Sequence, residues 1–151
     1  MKRFRFKLQR VLDIKRIREE QRQLEVALAE RRRAEAVEEV ASLRRSLAQC
    51  ERQLRSFSGA SIPVERLALL SESAARLRQE IKQSETRVAA AVQGLGLAKA
   101  AHLEAVKERK SMERLRERRL AAFREELARA EQKEMDEMAQ TVGTRGASRE
   151  Q

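Results

Sequence analysis

Residues 57–64 read FSGASIPV and hold the chain's only proline together with one of its five glycines. Gly59, Pro63 and two serines in so short a stretch mark a turn. Ser61 is a candidate N-cap for a helix beginning just after it. Pro63 is tolerated in a first helical turn, where its missing N–H has no intrahelical partner to lose.

On both sides of this break the apolar residues recur with a helical period. Before it, Val40, Leu43, Leu47, Cys50, Leu54 and Phe57 alternate spacings of three and four, the pattern of a coiled-coil seam. After it, Leu67, Leu70, Ala74, Leu77, Ile81, Ser84, Val88, Ala91, Leu95, Ala98, His102 and Ala105 keep the same alternation. Nearer the N-terminus Leu24 and Leu28 fall in a different phase from Val40, with Arg31, Arg32 and Arg33 between them. No breaker residue accompanies the shift, so it predicts a stutter within one helix.

Two long helices joined by a short loop pair antiparallel. The expected fold is all-α, an antiparallel coiled-coil hairpin with the second helix projecting beyond the first. Its expected parts are a helix over 1–57, a loop over 58–63, a helix over 64–140 and a flexible tail over 141–151. Folding about residue 60 sets opposite one another residues whose numbers add to about 121. Leu54 then meets Leu67, Leu47 meets Ala74 and Leu43 meets Leu77. Gly94 and Gly96 fall opposite Leu24 to Leu28, where missing side chains would let the backbones approach or the helix bend; tolerated surface positions are the alternative. The first helix runs out near residue 5, so the second projects by about 25 residues, on the order of 35–40 Å.

Composition agrees with long helices. The chain is 38% charged and 3% aromatic, with no Trp or Tyr, whereas a sheet domain draws on aromatic, β-branched and turn residues. Disorder is the competing reading of such a charge content, and the regular apolar spacing argues against it. Arg10, Asp13 and Lys15 interrupt any secretory signal, and no stretch approaches the roughly 20 apolar residues of a membrane span. Cys50 is the single cysteine, so no intrachain disulfide can form.

Charge is concentrated. Residues 1–20 carry eight Lys or Arg against three Asp or Glu, and residues 107–119 carry seven against three, in a chain of net charge +10. The antiparallel register lays these windows side by side as a basic collar at the open end of the hairpin, a surface that draws acidic partners. Three functional classes compete. A nucleic-acid binder fits the basic pI but lacks a recognition motif and stacking aromatics. A membrane-surface helix fits Phe4, Phe6 and Leu8 among cations, over too short a stripe. The third is a rod that docks its open end into a protein. Chemistry is poorly provided for. His102, the only histidine, sits on the seam; Cys50 reads as a small buried hydrophobe; and GLG at 94–96 lacks the context of a phosphate loop. Catalytic, metal and cofactor residues are therefore expected to be absent.

The N-terminal FRFKLQRVLDIKRIREE, the RLRERR run with Phe123 after it, and the C-terminal AEQKEMDEMAQ together closely resemble the two ends of the flagellar FliJ family. The resemblance extends over nearly the whole chain, its middle being generic coiled coil; the stalk proteins of virulence type III secretion systems share the hairpin. It implies a non-catalytic, cytoplasmic stalk of the flagellar type III export apparatus. Such a stalk enters the ring of the export ATPase FliI, promotes its assembly, contacts the export gate protein FlhA and assists recycling of export chaperones, with FliH as a further partner. Carried onto this chain, it implies ring contacts at Phe4, Phe6, Leu8, Leu12, Arg114, Arg118, Arg119, Phe123, Gln132, Lys133, Met135 and Asp136. A gate contact is expected at Leu67, Leu70, Leu77 and Ile81. The coiled-coil core is expected at Val40, Leu43, Leu47, Cys50, Leu54, Leu77, Ile81, Val88 and Leu95.

Overall fold

The computed structural model describes residues 3–57 and 63–147, the last seven by backbone alone. The chain is all-α, two long helices packed antiparallel: α1 is Gln9–Ser56 and α2, the longer, is Val64–Ala147. α1 contains neither Gly nor Pro over its 48 residues, so nothing in it resists propagation of the helix. Contacts divide the chain into two units, Arg18–Ala105 and Met1–Ile17 with Val106–Gln151.

In the unit Arg18–Ala105 the helices meet along alternating three- and four-residue spacings. Val26, Ala29, Ala36, Val40, Leu43, Leu47, Cys50 and Leu54 of α1 are buried or half-buried, as are Leu70, Ala74, Leu77, Ile81, Ser84, Val88, Ala91, Leu95 and Ala98 of α2. The expected stutter is absent. The seam runs in one phase from Val26 through Ala29, Arg33 and Ala36 to Val40, while Leu24 and Leu28 stand outside it, exposed. The larger apolar residues misdirected the phase, because small alanines hold the seam here. Leu67, expected on the seam, is also exposed.

Polar groups set the register within this unit. Ser84, 3% exposed, donates through Oγ to Glu39 Oε1 at 3.2 Å, and Arg87 Nη1 donates to the same oxygen at 2.9 Å. Cys50 Sγ donates to the Leu70 carbonyl at 3.3 Å. Arg44–Glu85, Arg78–Glu51 and Lys99–Glu30 cross between helices at 2.7, 2.8 and 3.2 Å. Such exposed pairs are worth about 0–1 kcal/mol each, so they orient the helices more than they stabilise them.

The helix ends differ from expectation. α1 begins at Gln9, not at residue 1, because residues 3–7 alternate Arg, Phe, Arg, Phe, Lys with only the two Phe half-buried. Period two puts both rings on one side of an extended chain, whereas a helix would splay them apart. The Leu8 carbonyl accepts the first helical N–H, from Leu12, at 3.1 Å. At the start of α2 the cap position falls to Pro63, whose carbonyl accepts from Arg66 at 3.0 Å and Leu67 at 3.4 Å. Ser61 and the expected loop residues 58–62 lie outside the described residues. Phe57 and Arg66 approach across the turn, guanidinium carbon to ring centroid 5.8 Å. The expected tail over 141–151 is helical to Ala147, and 148–151 lie outside the described residues. That stretch loses its apolar pattern but contains no proline, and extending a formed helix costs little per residue.

Gly94 and Gly96 do not serve a close approach within the chain. A Cβ built on either meets nothing within 4 Å, and no described glycine has positive φ. Gly96→Ala is therefore expected to stabilise the fold by about 1 kcal/mol, read as a rise in the thermal midpoint by circular dichroism.

Candidate functional site

In the unit Met1–Ile17 with Val106–Gln151, the extended N-terminal segment lies along α2, held by a ring contact at Phe4 and followed by a buried leucine in the first turn of α1. Leu12, 0% exposed, is the largest fully buried side chain in the described structure. Phe4 and Phe123 sit with ring centroids 5.7 Å apart, tilted by 52°, within the range of favourable aromatic pairs. Phe6 is half-buried beside them and Leu8 is largely exposed. Phe4, Phe6 and Leu8 line an open cleft with Leu115, Arg119 and Ala122 of α2.

Arg3, Arg5, Lys7 and Arg119 line this cleft with one carboxylate, Glu126, and further cations lie elsewhere in the same unit. Some are neutralised: Lys15 Nζ meets Glu108 at 2.7 Å, and Arg16 Nη2 donates to Glu113 Oε1 at 3.0 Å while Arg109 holds its other oxygen. Arg16 above all, with Arg109 beside it, holds the Glu113 carboxyl below the usual carboxylate range. Others have no ion-pair partner among the described residues: Arg3, Arg5, Lys7 and Arg10 on the N-terminal side, and Lys110, Arg114, Arg116, Arg118 and Arg119 on α2. The collar thus keeps a strong positive field around an aromatic centre, which favours an acidic, partly apolar protein surface.

Because the folded-state pKa of Glu113 is lowered, its contribution is present above the ordinary carboxylate pKa and is lost as pH falls through the folded value. A carboxyl NMR titration is expected to place the midpoint of Glu113 below the ordinary range near about 4.3, and Arg16→Ala to move it back up. An unchanged midpoint in Arg16→Ala would remove Arg16 as the cause.

Beyond Phe123 the helix has no cover. Every side chain from Arg124 to Gln140 is exposed, supported by four-residue pairs along its own surface: Gln132–Asp136 at 3.0 Å and Lys133–Glu137 at 3.8 Å. From Arg124 to Gln140 this is about 26 Å of helix at 1.5 Å per residue.

The structure thus brings Phe4, Phe6, Leu8, Arg119 and Phe123 to one cleft, leaves Arg114 and Arg118 exposed on the same helix outside the cleft lining, and puts Gln132, Lys133, Met135 and Asp136 on the bare helix. Leu12, expected among the ring contacts, is fully buried, with 0% of its surface exposed. Leu115 was missed by the sequence reading, although Leu115, Arg119 and Phe123 at four-residue spacing share one helix face. In the other unit, Leu70, Leu77 and Ile81 lie half-buried in the seam, while Val64, Leu67 and Leu69 offer exposed apolar surface. His102 is half-buried on the seam and Cys50 is buried. The described residues contain no group of His, Cys, Asp or Glu placed to hold a metal, and no helix long and apolar enough to cross a membrane.

A family model described as flagellar FliJ protein matches residues 4–148. A solved structure, of a proposed YscO homolog from Chlamydia trachomatis, superposes with a TM-score of 0.66 over 94% of this chain and 96% of that one, at 22% identity. At that identity the likeness concerns the fold alone. A comparison with curated proteins returned no match.

Proposed function

The chain belongs to the flagellar FliJ family, and from that premise we propose that its collar is gripped by the ring of the flagellar export ATPase FliI while α2 beyond Phe123 reaches into the ring. Members of the family are non-catalytic, stalk-like coiled-coil components of the type III export apparatus. In this reading the protein promotes ring assembly and ATP hydrolysis, links the ring to the export gate protein FlhA and assists recycling of export chaperones. It works in the cytoplasm, peripheral to the membrane at the flagellar base, with FliH as a further partner. The gate contact falls on the exposed edge at Val64, Leu67 and Leu69, reaching the rims of Leu70, Leu77 and Ile81.

The observation that carries the reading is the change of exposure at Phe123. Up to that ring α2 is packed against a basic, aromatic-clamped segment; after it, the same helix is bare on all sides. A ring closing over this end meets two chain segments at the collar and one helix beyond it. Its subunits therefore contact unequal surfaces, and whichever interface binds the stalk best is favoured for hydrolysis, a population shift that needs no chemistry from the stalk.

The test is steady-state ATP hydrolysis by the cognate export ATPase, with and without the chain, at two salt concentrations and with duplex DNA as competitor. Stimulation that survives DNA and falls with salt is expected. No stimulation, together with salt-sensitive DNA binding, would replace the stalk by a nucleic-acid coiled coil. The second reading is the corresponding stalk of a virulence type III system, which the likeness in fold to the chlamydial protein supports. Pairing the chain with each ATPase in turn separates the two.

A further inference from the structure

Within the unit Arg18–Ala105, residues 88–103 of α2 read VAAAVQGLGLAKAAHL, and in a chain that is 38% charged they carry a single charged residue, Lys99. Only one side of this stretch meets α1. Val88, Leu95 and Ala98 face the seam, whereas Val92, Leu97 and Leu103 stand outside it, Leu97 being 67% exposed. A helix that is apolar all round is normally covered all round, so part of its cover is missing. Level with it on α1, Leu24 and Leu28 are 66% and 55% exposed. Between the helices runs a groove floored by Ala29, Ala91, Gly94 and Ala98, with Glu25 and Arg32 on its α1 edge. The space over Gly94 is open, since a Cβ there meets nothing within 4 Å.

We propose that this face binds a second copy of the chain, antiparallel, about a two-fold axis that crosses the groove at right angles to the helices. The argument is self-complementarity, which an interface of this symmetry requires because each copy presents the same patch. Glu25 and Arg32 lie two turns apart on one edge of the groove, and an axis passing midway between them sets Glu25 of each copy against Arg32 of the other. Two symmetric ion pairs result. The same axis brings Leu28, which lies between those charges, onto Leu28 of the second copy, and lowers Leu97 towards the small-residue floor around Gly94 of the second copy. Projection and hollow therefore match under the operation that matches the charges.

The charges are available for it. Arg32 has no ion-pair partner among the described residues, and Glu25 accepts only from Arg22 of its own helix, at 2.6 Å, in an exposed position. Lys99 is engaged by Glu30 and Arg31 by Glu35, and the groove's own edge carries one cation and one anion, Arg32 and Glu25, so it presents no net positive charge to a phosphate backbone or an anionic membrane. A partner of unrelated sequence would have no use for opposite charges placed evenly about the centre of the groove.

Sedimentation equilibrium of the full chain is expected to show a monomer–dimer equilibrium. Glu25→Arg and Arg32→Glu each set like charges opposite one another and are expected to weaken self-association about tenfold or more. An equimolar mixture of the two variants restores opposite charges at both contacts and is expected to recover the dimer. Leu97→Glu is expected to abolish it with circular dichroism unchanged, because Leu97 lies outside the seam. A parent chain that stays monomeric up to its solubility limit overturns the proposal. So does a dimer indifferent to Leu97→Glu and to both charge reversals, which would assign association to another surface such as Leu120, Phe123 and Leu127. A parent that remains monomeric while Leu97→Glu loses binding to the export ATPase or to phosphatidylglycerol vesicles also overturns it, and names the other occupant.

Discussion

Reversing Arg114, Arg118 and Arg119 to Glu is expected to weaken stimulation of the export ATPase strongly while leaving helicity unchanged. All three are exposed and none has an ion-pair partner among the described residues, so the substitutions break no internal contact. Surface changes of this kind alter stability by only about 0.5 kcal/mol each. Their effect on docking is much larger. Three positive charges become three negative ones on one stretch of α2, of which Arg119 lines the cleft together with Arg3, Arg5 and Lys7. Like charges brought together across an interface cost several kcal/mol, so the concentration of chain needed for half-stimulation is expected to rise by about a hundredfold or more at low salt. Titrating the variant against the ATPase at two salt concentrations reads this directly. Unchanged stimulation with unchanged circular dichroism would remove the collar from the site.

Leu12→Ala is the second large effect, and it acts through stability. Leu12, in the first turn of α1, has 0% of its surface exposed, and we expect it to be the pin that holds this end of the chain in place. Truncating such a leucine costs about 2–5 kcal/mol, through lost burial and the cavity left behind. A two-helix unit has no second layer to share that loss. Amides of Gln9–Ile17 are expected to exchange with solvent at least about tenfold faster, and the Phe4–Phe123 contact to loosen, while protection within Arg18–Ala105 persists. Leu8→Ala is the control: Leu8 is 41% exposed, so its truncation removes little burial and should leave exchange unaltered. Equal exchange in the two variants would mean that Leu12 is not the pin.

Much of the basic, aromatic collar was legible in the chain itself. Alternating Arg and Phe at residues 3–6 and the cation run at 114–119 are local patterns, and a break at 57–64 between two helical periods places them side by side by simple counting. The closing ring contact does not follow from that counting, which sets Phe4 opposite residue 117; the structure sets it on Phe123, between one and two turns further along α2. Legibility failed where a residue's type and its position disagree. Leu24 and Leu28 are more apolar than Val26 and Ala29, yet the smaller pair holds the seam and the leucines face out. Periodicity weights residues by hydrophobicity, whereas the structure selects the phase continuous with Val40, since leaving it would twist the whole stripe away from its partner.

By itself, the sequence determined that this protein is two helices meeting antiparallel, because both the period and the single breaker are local properties of the chain. It also determined that positive charge gathers at the open end. Only the tertiary structure decided that residues 3–7 run extended, that Leu12 is sealed in while Phe4, Phe6 and Leu8 line a cleft, and that Gly94 opens onto empty space. The reason is physical. A residue's burial depends on what the opposite segment places at the same height, and no window of neighbouring residues contains that information.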